Sequence, residues 1–276
     1  MFTDNPVTPL RLEVLLDTLR IIKKKNTREE VFDLFQPKAI TDSQSSIGHT
    51  VKAAIELGLI SKDYELLRNS DDAASSKDLI LEAFDNKILS SEDVEPYFGL
   101  FYSFMLGLNK EAGQINNAED WVNKFNDQVY PEGAHSDRFN KPKLSGLHRW
   151  FSYVGLGMYD PDDIFYAIPY HRLFRSMPKI FKDKKKLDSD DFMDILSSKC
   201  PELDGGSIYK KANPNYKANM QCTLGLSHAL IELNDFGIIK LLGSRDSRKW
   251  SVALAEPSYG KKDMLSEKFD YVEYIK

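Results

Sequence analysis

The sequence predicts a mainly α-helical protein with small β-hairpins, in which two winged helix-turn-helix domains flank a helical middle region. Three observations predict this fold. Near both ends of the chain, apolar residues recur with a helical period of about 3.6 residues. The last such stretch at each end runs into a glycine, Gly58 or Gly237, where a helix C-terminus favours a positive φ. Residues with high β-propensity follow each glycine, and near the C-terminus a polar turn joins two such runs.

The N-terminal winged helix is predicted within residues 1–76. Threonine followed by proline, at Thr8 and Pro9, is typical of a helix start, because proline has a helical φ and lacks only an amide that the first turn leaves unpaired. Thr27 and Glu30 have the spacing of a capping box and predict the second helix. The third helix is predicted in "SSIGHTVKAAIELGLI", with at most a short hairpin after it.

A helical middle region is predicted over residues 77–186. Its aromatic residues recur at helical spacing, which is typical of a buried core. The alternatives are a partner-binding surface and a platform on which bases stack.

The C-terminal winged helix is predicted over residues 187–257. Its helices are predicted in "DSDDFMDILSSKCPEL", more weakly in "SIYKKANPNYKANM", and after Thr223. Two strands, 238–242 and 250–255, are predicted around the polar turn "GSRDSRK". Residues 258–276 are predicted as a C-terminal tail.

Charge is distributed unevenly along the chain. The formal net charge is −5, which does not by itself indicate nucleic-acid binding. Residues 138–186, however, carry eleven Lys and Arg against four Asp, a net charge of +7, between acidic flanks. This basic segment is either an anion-binding surface or the electrostatic partner of the acidic N-terminal part, and both interpretations stay open.

The sequence contains no pattern typical of an enzyme. It has neither a phosphate-binding glycine loop nor a dinucleotide fingerprint, and its five histidines and two cysteines lack metal-ligand spacing. We therefore expect no catalytic residues, no cofactor and no metal site. We also expect a cytoplasmic protein without a membrane partner, because no apolar run could span a bilayer and no signal-peptide pattern is present.

Three groups of residues are candidates for DNA contacts, because cations on phosphates give salt-dependent affinity and polar side chains of a recognition helix read base edges. In the C-terminal domain they lie on the hairpin and the last helix: Arg245, Arg248, Lys249, Ser227 and His228. In the N-terminal domain they lie at the third helix: Gln44, His49 and Lys52. In the basic segment they are Arg138, Lys141, Lys143, Arg172 and Arg175. Either winged helix can instead be a protein-interaction module, since a fold does not fix a function.

The segment "LHRWFSYVGLGMYDPDDIFYAIP", from Leu147 to Pro169, contains Trp150, the pair Leu156-Gly157 and the turn "DPD" at 160–162. Together with winged helices on both sides, it resembles the DpdG family of accessory proteins from bacterial phage-defence islands. The resemblance implies a subunit that works beside helicase or ATPase and nuclease partners, with the basic segment on DNA or on an acidic partner. It implies no catalytic residues.

The favoured hypothesis is a non-enzymatic adaptor of a multi-protein bacterial antiphage defence system. It would bind duplex DNA with weak sequence preference, or bridge DNA to an ATPase, helicase or nuclease subunit. One alternative is a winged-helix transcriptional regulator. Another is a tandem winged-helix partner of a chromosome-structuring ATPase. Both alternatives favour a homodimer.

Overall fold

The computed structural model of the chain is mainly helical. It describes residues 7–22, 27–37, 39, 45–67, 74–90, 95–115, 117–131, 138–159, 164–243, 249–253 and 268–275. The helices of this part are α1 (Pro9–Ile22), α2 (Arg28–Phe35), α3 (Ser45–Glu56), α4 (Ser76–Ala83), α5 (Pro96–Leu108), α6 (Ala118–Val129), α7 (Lys141–Tyr153), α8 (Tyr170–Phe181), α9 (Ser189–Lys199), α10 (Ser207–Ala212) and α11 (Leu224–Asp235). A π-helical turn (Phe84–Ile88) continues α4, and a 3-10 helix (Asn109–Gln114) follows α5.

The strands are short and antiparallel. They are β1 (Met158–Tyr159), β2 (Phe165–Tyr166), β3 (Lys186–Asp188), β4 (Ile239–Leu242) and β5 (Tyr271–Tyr274). The first two form a hairpin, and the other three form a sheet in the order β3-β5-β4. The prediction of a mainly helical chain with small hairpins is confirmed, while the two winged-helix domains stay a prediction.

Local sequence signals explain the N-terminal helices. The capping box before α2 is present: the Thr27 hydroxyl accepts from the amide of Glu30 at 3.2 Å, and the Glu30 carboxylate accepts from the amide of Thr27 at 2.9 Å. Gly58, after α3, has a φ of +69°, which glycine adopts without strain. After Gly58 the chain reverses direction, and a single antiparallel β-bridge pairs Ile60 with Leu66.

The sheet near the C-terminus differs from the predicted hairpin. We expected residues 250–255 to pair with β4, but Ser251 forms only single bridges, to Gln221 and Lys268. The central strand is β5, which lies within the segment predicted as a tail. The reason is burial: Val272 is completely buried, paired with Leu187 on one side and Leu241 on the other. The boundaries of the four predicted regions otherwise stay a prediction.

The middle region forms an aromatic core, as predicted. Phe98, Phe101 and Phe104 of α5 are completely buried, and Phe101 stacks against Phe139 with ring centroids 4.7 Å apart. Trp150 stacks on Phe84 at 4.8 Å within this core. Trp150 also donates its indole N–H to the carbonyl of Val7 at 2.7 Å, and this bond connects the core to the N-terminal region. No helix in the described part of the chain is long and apolar enough to cross a membrane.

Candidate nucleic-acid interface

Arg172 lies inside the protein, contrary to the prediction that it contacts DNA. Its side chain is only 4% exposed. The guanidinium Nε donates to Glu202 at 2.8 Å, a second nitrogen lies 3.5 Å from Asp85, and a third donates to the carbonyl of Lys199. Since both carboxylates are buried as well, this cation neutralises internal charge and a phosphate cannot reach it.

Two other cations of the basic segment, Arg175 and Lys143, also bind groups within the protein. Arg175 makes two hydrogen bonds of 3.0 Å to Asp85. Lys143 is buried, with its ammonium 4.7 Å from the ring centre of Tyr97. Both were predicted as DNA contacts, but Lys143 is withdrawn from solvent and the guanidinium of Arg175 is held by Asp85 and the carbonyl of Val154. For these residues, the structure favours the interpretation in which the basic segment pairs with the N-terminal part.

Lys141 and Arg138 remain at the surface. Lys141 is exposed and pairs with Glu119 at 2.9 Å. Arg138 is exposed too, and its carbonyl accepts a hydrogen bond from the buried Lys143. Exposed pairs of this kind are weak and exchange readily, so the structure leaves both side chains accessible to an anion.

Helix α11, the predicted recognition helix of the C-terminal domain, is enclosed by other elements. It packs against α8, α5, the 3-10 helix and β4, and only Asp235 at its end is exposed. Ser227 is fully buried and accepts the amide of Ala253 at 2.7 Å. Ser227 therefore cannot read base edges, which corrects that prediction. His228 is half-buried and lines a groove described below.

The remaining predicted contacts lie at the two ends of the chain. On α3, His49 is half-buried, while Lys52 is exposed and lies 3.8 Å from Glu56. Near the C-terminal sheet, Lys249 forms a short ion pair with Asp188, which raises the pKa of the lysine. Three further candidates lie outside the described residues: Gln44, Arg245 and Arg248.

A polar groove of about 970 Å³ lies apart from the predicted DNA contacts within the described residues, none of which lines it. The sequence analysis did not predict this groove. We call it the basic groove. Its walls come from the 3-10 helix, α6, the connection between α10 and α11, and residues 251–253. Four lysines line it, namely Lys110, Lys124, Lys217 and Lys268, among several asparagine and glutamine side chains.

Partly buried hydrogen bonds hold the walls of the basic groove together. Asn213 donates to the carbonyl of Ser103 at 2.9 Å, and Gln128 donates to the carbonyl of Ala212 at 2.8 Å. These bonds tie the end of α10 to α5 and α6. The groove is therefore preorganised, so that a ligand does not have to order it on binding.

The start of α11 is anchored at one side of the basic groove. Asp204, almost fully buried, accepts from the amide and the hydroxyl of Thr223 at 2.6 and 2.8 Å. Thr223 is the N-cap of α11, and the side-chain oxygen of Asn109 accepts the next amide, that of Leu224, at 2.7 Å. Burial raises the pKa of Asp204 from 3.8 to about 6.

The basic groove is electrostatically suited to a polyanion. Glu111 is the one acidic residue that lines the described part, and it already pairs with Lys124 at 2.9 Å. Lys110, Lys217 and Lys268 are exposed. Cations together with side-chain amides are the groups that bind phosphate oxygens of nucleic acids.

A sequence signal for this groove exists. Residues 205–231 contain three lysines and no acidic residue, whereas the net charge of residues 187–276 is slightly negative. Charge summed over long blocks therefore hid the basic stretch. Of that stretch, Lys217 lines the groove, and the three lysines outside it, Lys110, Lys124 and Lys268, join the groove only through the fold.

A second groove of about 880 Å³ adjoins the basic groove. We call it the aromatic groove. Asn109, Lys110 and Leu224 line both grooves, so these residues form the ridge between them. Five residues with aromatic side chains line the aromatic groove: Trp121, His148, Phe165, Tyr166 and His228.

His148 is held among aromatic rings. Its imidazole stacks on Phe165, with centroids 6.2 Å apart and planes 17° from parallel, and meets Tyr159 edge-on at 5.9 Å. Burial lowers the pKa of His148 to about 4. The imidazole is therefore neutral at pH 7 and offers one donor and one acceptor nitrogen.

The segment from Leu147 to Pro169 connects these features. Leu147, Trp150 and Leu156 are fully buried in the aromatic core. Gly155 has a φ of +75° and reverses the chain after α7, and the hairpin that follows carries Phe165 and Tyr166 into the aromatic groove. Residues 160–163 lie outside the described part of the chain.

Comparisons with known proteins give a match that includes the segment from Leu147 to Pro169. No curated protein and no solved structure gives a match. A family model described as DpdG-like matches residues 2–247, which include both walls of the aromatic groove and most of the basic groove. The chain therefore belongs to the DpdG-like family.

Proposed function

We propose that this protein is a non-enzymatic adaptor that binds the DNA backbone and links DNA to another protein subunit. Membership in the DpdG-like family indicates a role in a DNA-modification or defence system. Within such a system, an ATPase, a helicase or a nuclease is the class of subunit that such an adaptor would serve. DNA is the partner that the basic groove fits best.

The basic groove is the observation that carries the DNA-binding proposal. Lys110, Lys217 and Lys268 line it and are exposed, and Glu111, the acidic residue of its described lining, pairs with Lys124. Backbone binding of this kind depends on released counterions and not on base sequence, so a weak sequence preference is expected. Arg172, which is buried, and Arg175, which is bound to Asp85, take no part.

We further propose that both ends of the chain are winged helices. The order β3-α9-α10-α11-β4-β5, with β5 central in the sheet, supports this for the C-terminal end. The order α1-α2-α3 followed by one bridge supports a reduced version at the N-terminal end. Because α11 is enclosed, the C-terminal winged helix serves to shape the basic groove. Of the two recognition helices, α3 and α11, α3 is the more accessible, since its Lys52 is exposed.

Fluorescence anisotropy of a random duplex across a salt series tests the DNA-binding proposal. The double variant Lys110→Ala/Lys217→Ala removes two exposed cations of the basic groove. If each contacts one phosphate, the slope of log affinity against log salt becomes shallower by about 0.9 per lysine. Lys141→Ala is the matched control, because Lys141 is exposed but lies outside the groove, and its slope is expected to stay unchanged. Failure to bind either duplex or single-stranded DNA at low salt overturns the proposal.

One observation favours the dimeric alternatives, a transcriptional regulator or a partner of a chromosome-structuring ATPase. Leu10, Val14 and Ile21 are each more than half exposed and lie on the face of α1 opposite its buried leucines. Two copies of α1 packed against each other on this face would remove these apolar side chains from water, which favours a symmetric dimer.

Light scattering after size-exclusion chromatography tests this second candidate. A dimer is expected for the wild type, and Val14→Asp is expected to weaken it, because it places a charge in the apolar face. Leu34→Asp is the matched control, because Leu34 is similarly exposed but lies on α2, and it is expected to leave the dimer unchanged. A wild-type monomer at every concentration rejects the dimeric candidates and leaves the adaptor proposal unaffected.

A further inference from the structure

The aromatic groove continues directly from the basic groove. Asn109, Lys110 and Leu224 line both, so a ligand that follows the lysines passes over this ridge. Beyond the ridge the lining changes from amides and lysines to rings and aliphatic side chains. This change, from a charged channel to an aromatic recess, matches the two parts of a nucleotide, a phosphate and a base.

We propose that the aromatic groove binds an unpaired base of single-stranded DNA whose phosphates lie along the basic groove. This inference rests on the proposed function and names the form of DNA that the site prefers. A base inside a duplex is stacked between its neighbours, so only an unpaired or extruded base can reach a recess beside the phosphate path.

The side chains of the aromatic groove suit a base in particular. Tyr166 is 47% exposed and lines the groove, as does Phe165, its neighbour on the same strand. Aromatic side chains bind bases of any sequence, because every base has a flat face on which to stack. The neutral imidazole of His148 and the exposed hydroxyl of Ser145 supply hydrogen-bonding groups for the edge of the base.

The volume and the charge distribution argue for this occupant over a free apolar molecule. A recess of about 880 Å³ is within the usual range of about 300–1,000 Å³ for ligand sites. A free apolar ligand would gain no affinity from Lys110 on the ridge or from the other lysines of the basic groove. A nucleotide chain uses both grooves at once.

Anisotropy with one labelled oligonucleotide, measured as a single strand and as a duplex, tests the inference. The wild type is expected to bind the single strand more tightly at equal salt. Tyr166→Ala is expected to lower single-strand affinity about tenfold, since stacking on one aromatic ring contributes that much, and to leave duplex affinity unchanged. A 2-aminopurine in the strand is expected to lose fluorescence on binding to the wild type, and to lose much less on binding to Tyr166→Ala.

Met158→Ala is the matched control. Met158 pairs with Tyr166 in the β1–β2 hairpin and is similarly exposed, but it does not line the groove. Equal affinities for single strand and duplex, both unaffected by Tyr166→Ala, overturn the inference. If the duplex then still binds through Lys110 and Lys217, the proposed function survives. If neither form of DNA binds at low salt, the proposed function fails as well.

Discussion

At the scale of single residues, burial changes what a charged side chain does. Arg172 is placed between Glu202 and Asp85, both of which are removed from water. Replacing it with methionine leaves two buried carboxylates without their common partner. Removal of one member of such a pair typically costs about 3–5 kcal/mol.

We therefore expect Arg172→Met to lower the free energy of unfolding by about 3–5 kcal/mol in urea denaturation. Arg138→Met serves as the control, because Arg138 is exposed, and a change within about 0.5 kcal/mol is expected. Equal effects of the two substitutions would mean that the buried ion pairs do not stabilise the fold.

A second prediction concerns pH and Asp204. Burial raises its pKa from 3.8 to about 6, so between these values the folded protein binds a proton that the unfolded chain releases. The contribution of Asp204 to stability is therefore most favourable below pH 4 and is lost as the pH rises to about 6. Two units of pKa correspond to about 3 kcal/mol.

Urea denaturation of the wild type and Asp204→Asn between pH 4 and pH 7 measures this contribution. The difference in unfolding free energy, wild type minus variant, is expected to fall with rising pH, because asparagine does not titrate. The neighbouring groups whose pKa is raised by the charge of Asp204 are tyrosines and a cysteine, which titrate far above this range. Parallel curves would contradict the prediction.

At the scale of elements, two helical glycines are expected to respond in opposite ways to alanine. Alanine favours a helix over glycine by about 1 kcal/mol. On α3, a Cβ at Gly48 would lie 3.8 Å from the Phe32 ring, an ordinary contact. On α11, a Cβ at Gly225 would lie 2.0 Å from the carbonyl oxygen of Ala167, which only a backbone shift can relieve.

Thermal denaturation is therefore expected to show that Gly48→Ala stabilises the protein by up to about 1 kcal/mol. Gly225→Ala is expected to destabilise it by about 1–3 kcal/mol in spite of the better helix propensity, as overpacking does. A gain of stability in both variants would mean that Gly225 of α11 does not lie in close contact with the carbonyl of Ala167.

Elements also differ in how far local sequence specifies them. The capping box of α2 and the glycine after α3 involve residues close in the chain, so their sequence patterns were sufficient to predict them. Strand β5 has no such local pattern. It is a strand because Val272 pairs with residues 85 and 31 positions earlier, at Leu187 and Leu241, and fills the core there.

At the scale of the whole molecule, the described parts share one hydrophobic core. Trp150 of the middle region donates its indole N–H to the carbonyl of Val7 at 2.7 Å, across the predicted boundary between residues 76 and 77. Arg172 of α8 donates to Glu202 at 2.8 Å, across the boundary between residues 186 and 187. The predicted division into separate domains would allow the ends to unfold independently. These contacts oppose independent unfolding.

We expect a single unfolding transition. Far-UV circular dichroism follows all the helices, whereas tryptophan fluorescence follows only Trp121, Trp150 and Trp250, which lie outside the N-terminal helices. The two probes should give the same midpoint in urea, as two-state unfolding requires. Separate midpoints would instead support the predicted domains.

The sequence by itself determined the helical class, the starts of α1, α2 and α11, the ends of α3 and α11, and the aromatic core, because periodicity and capping act over a few residues. It also carried the DpdG-like resemblance, which the family model confirms. Only the tertiary structure decided which charges face solvent. Arg172 and Lys143 look like surface cations in the sequence and are buried, while Lys110 and Lys217, from distant parts of the chain, line the same groove. The physical reason is that the environment of a charge depends on neighbours brought together by folding, and no local pattern encodes them.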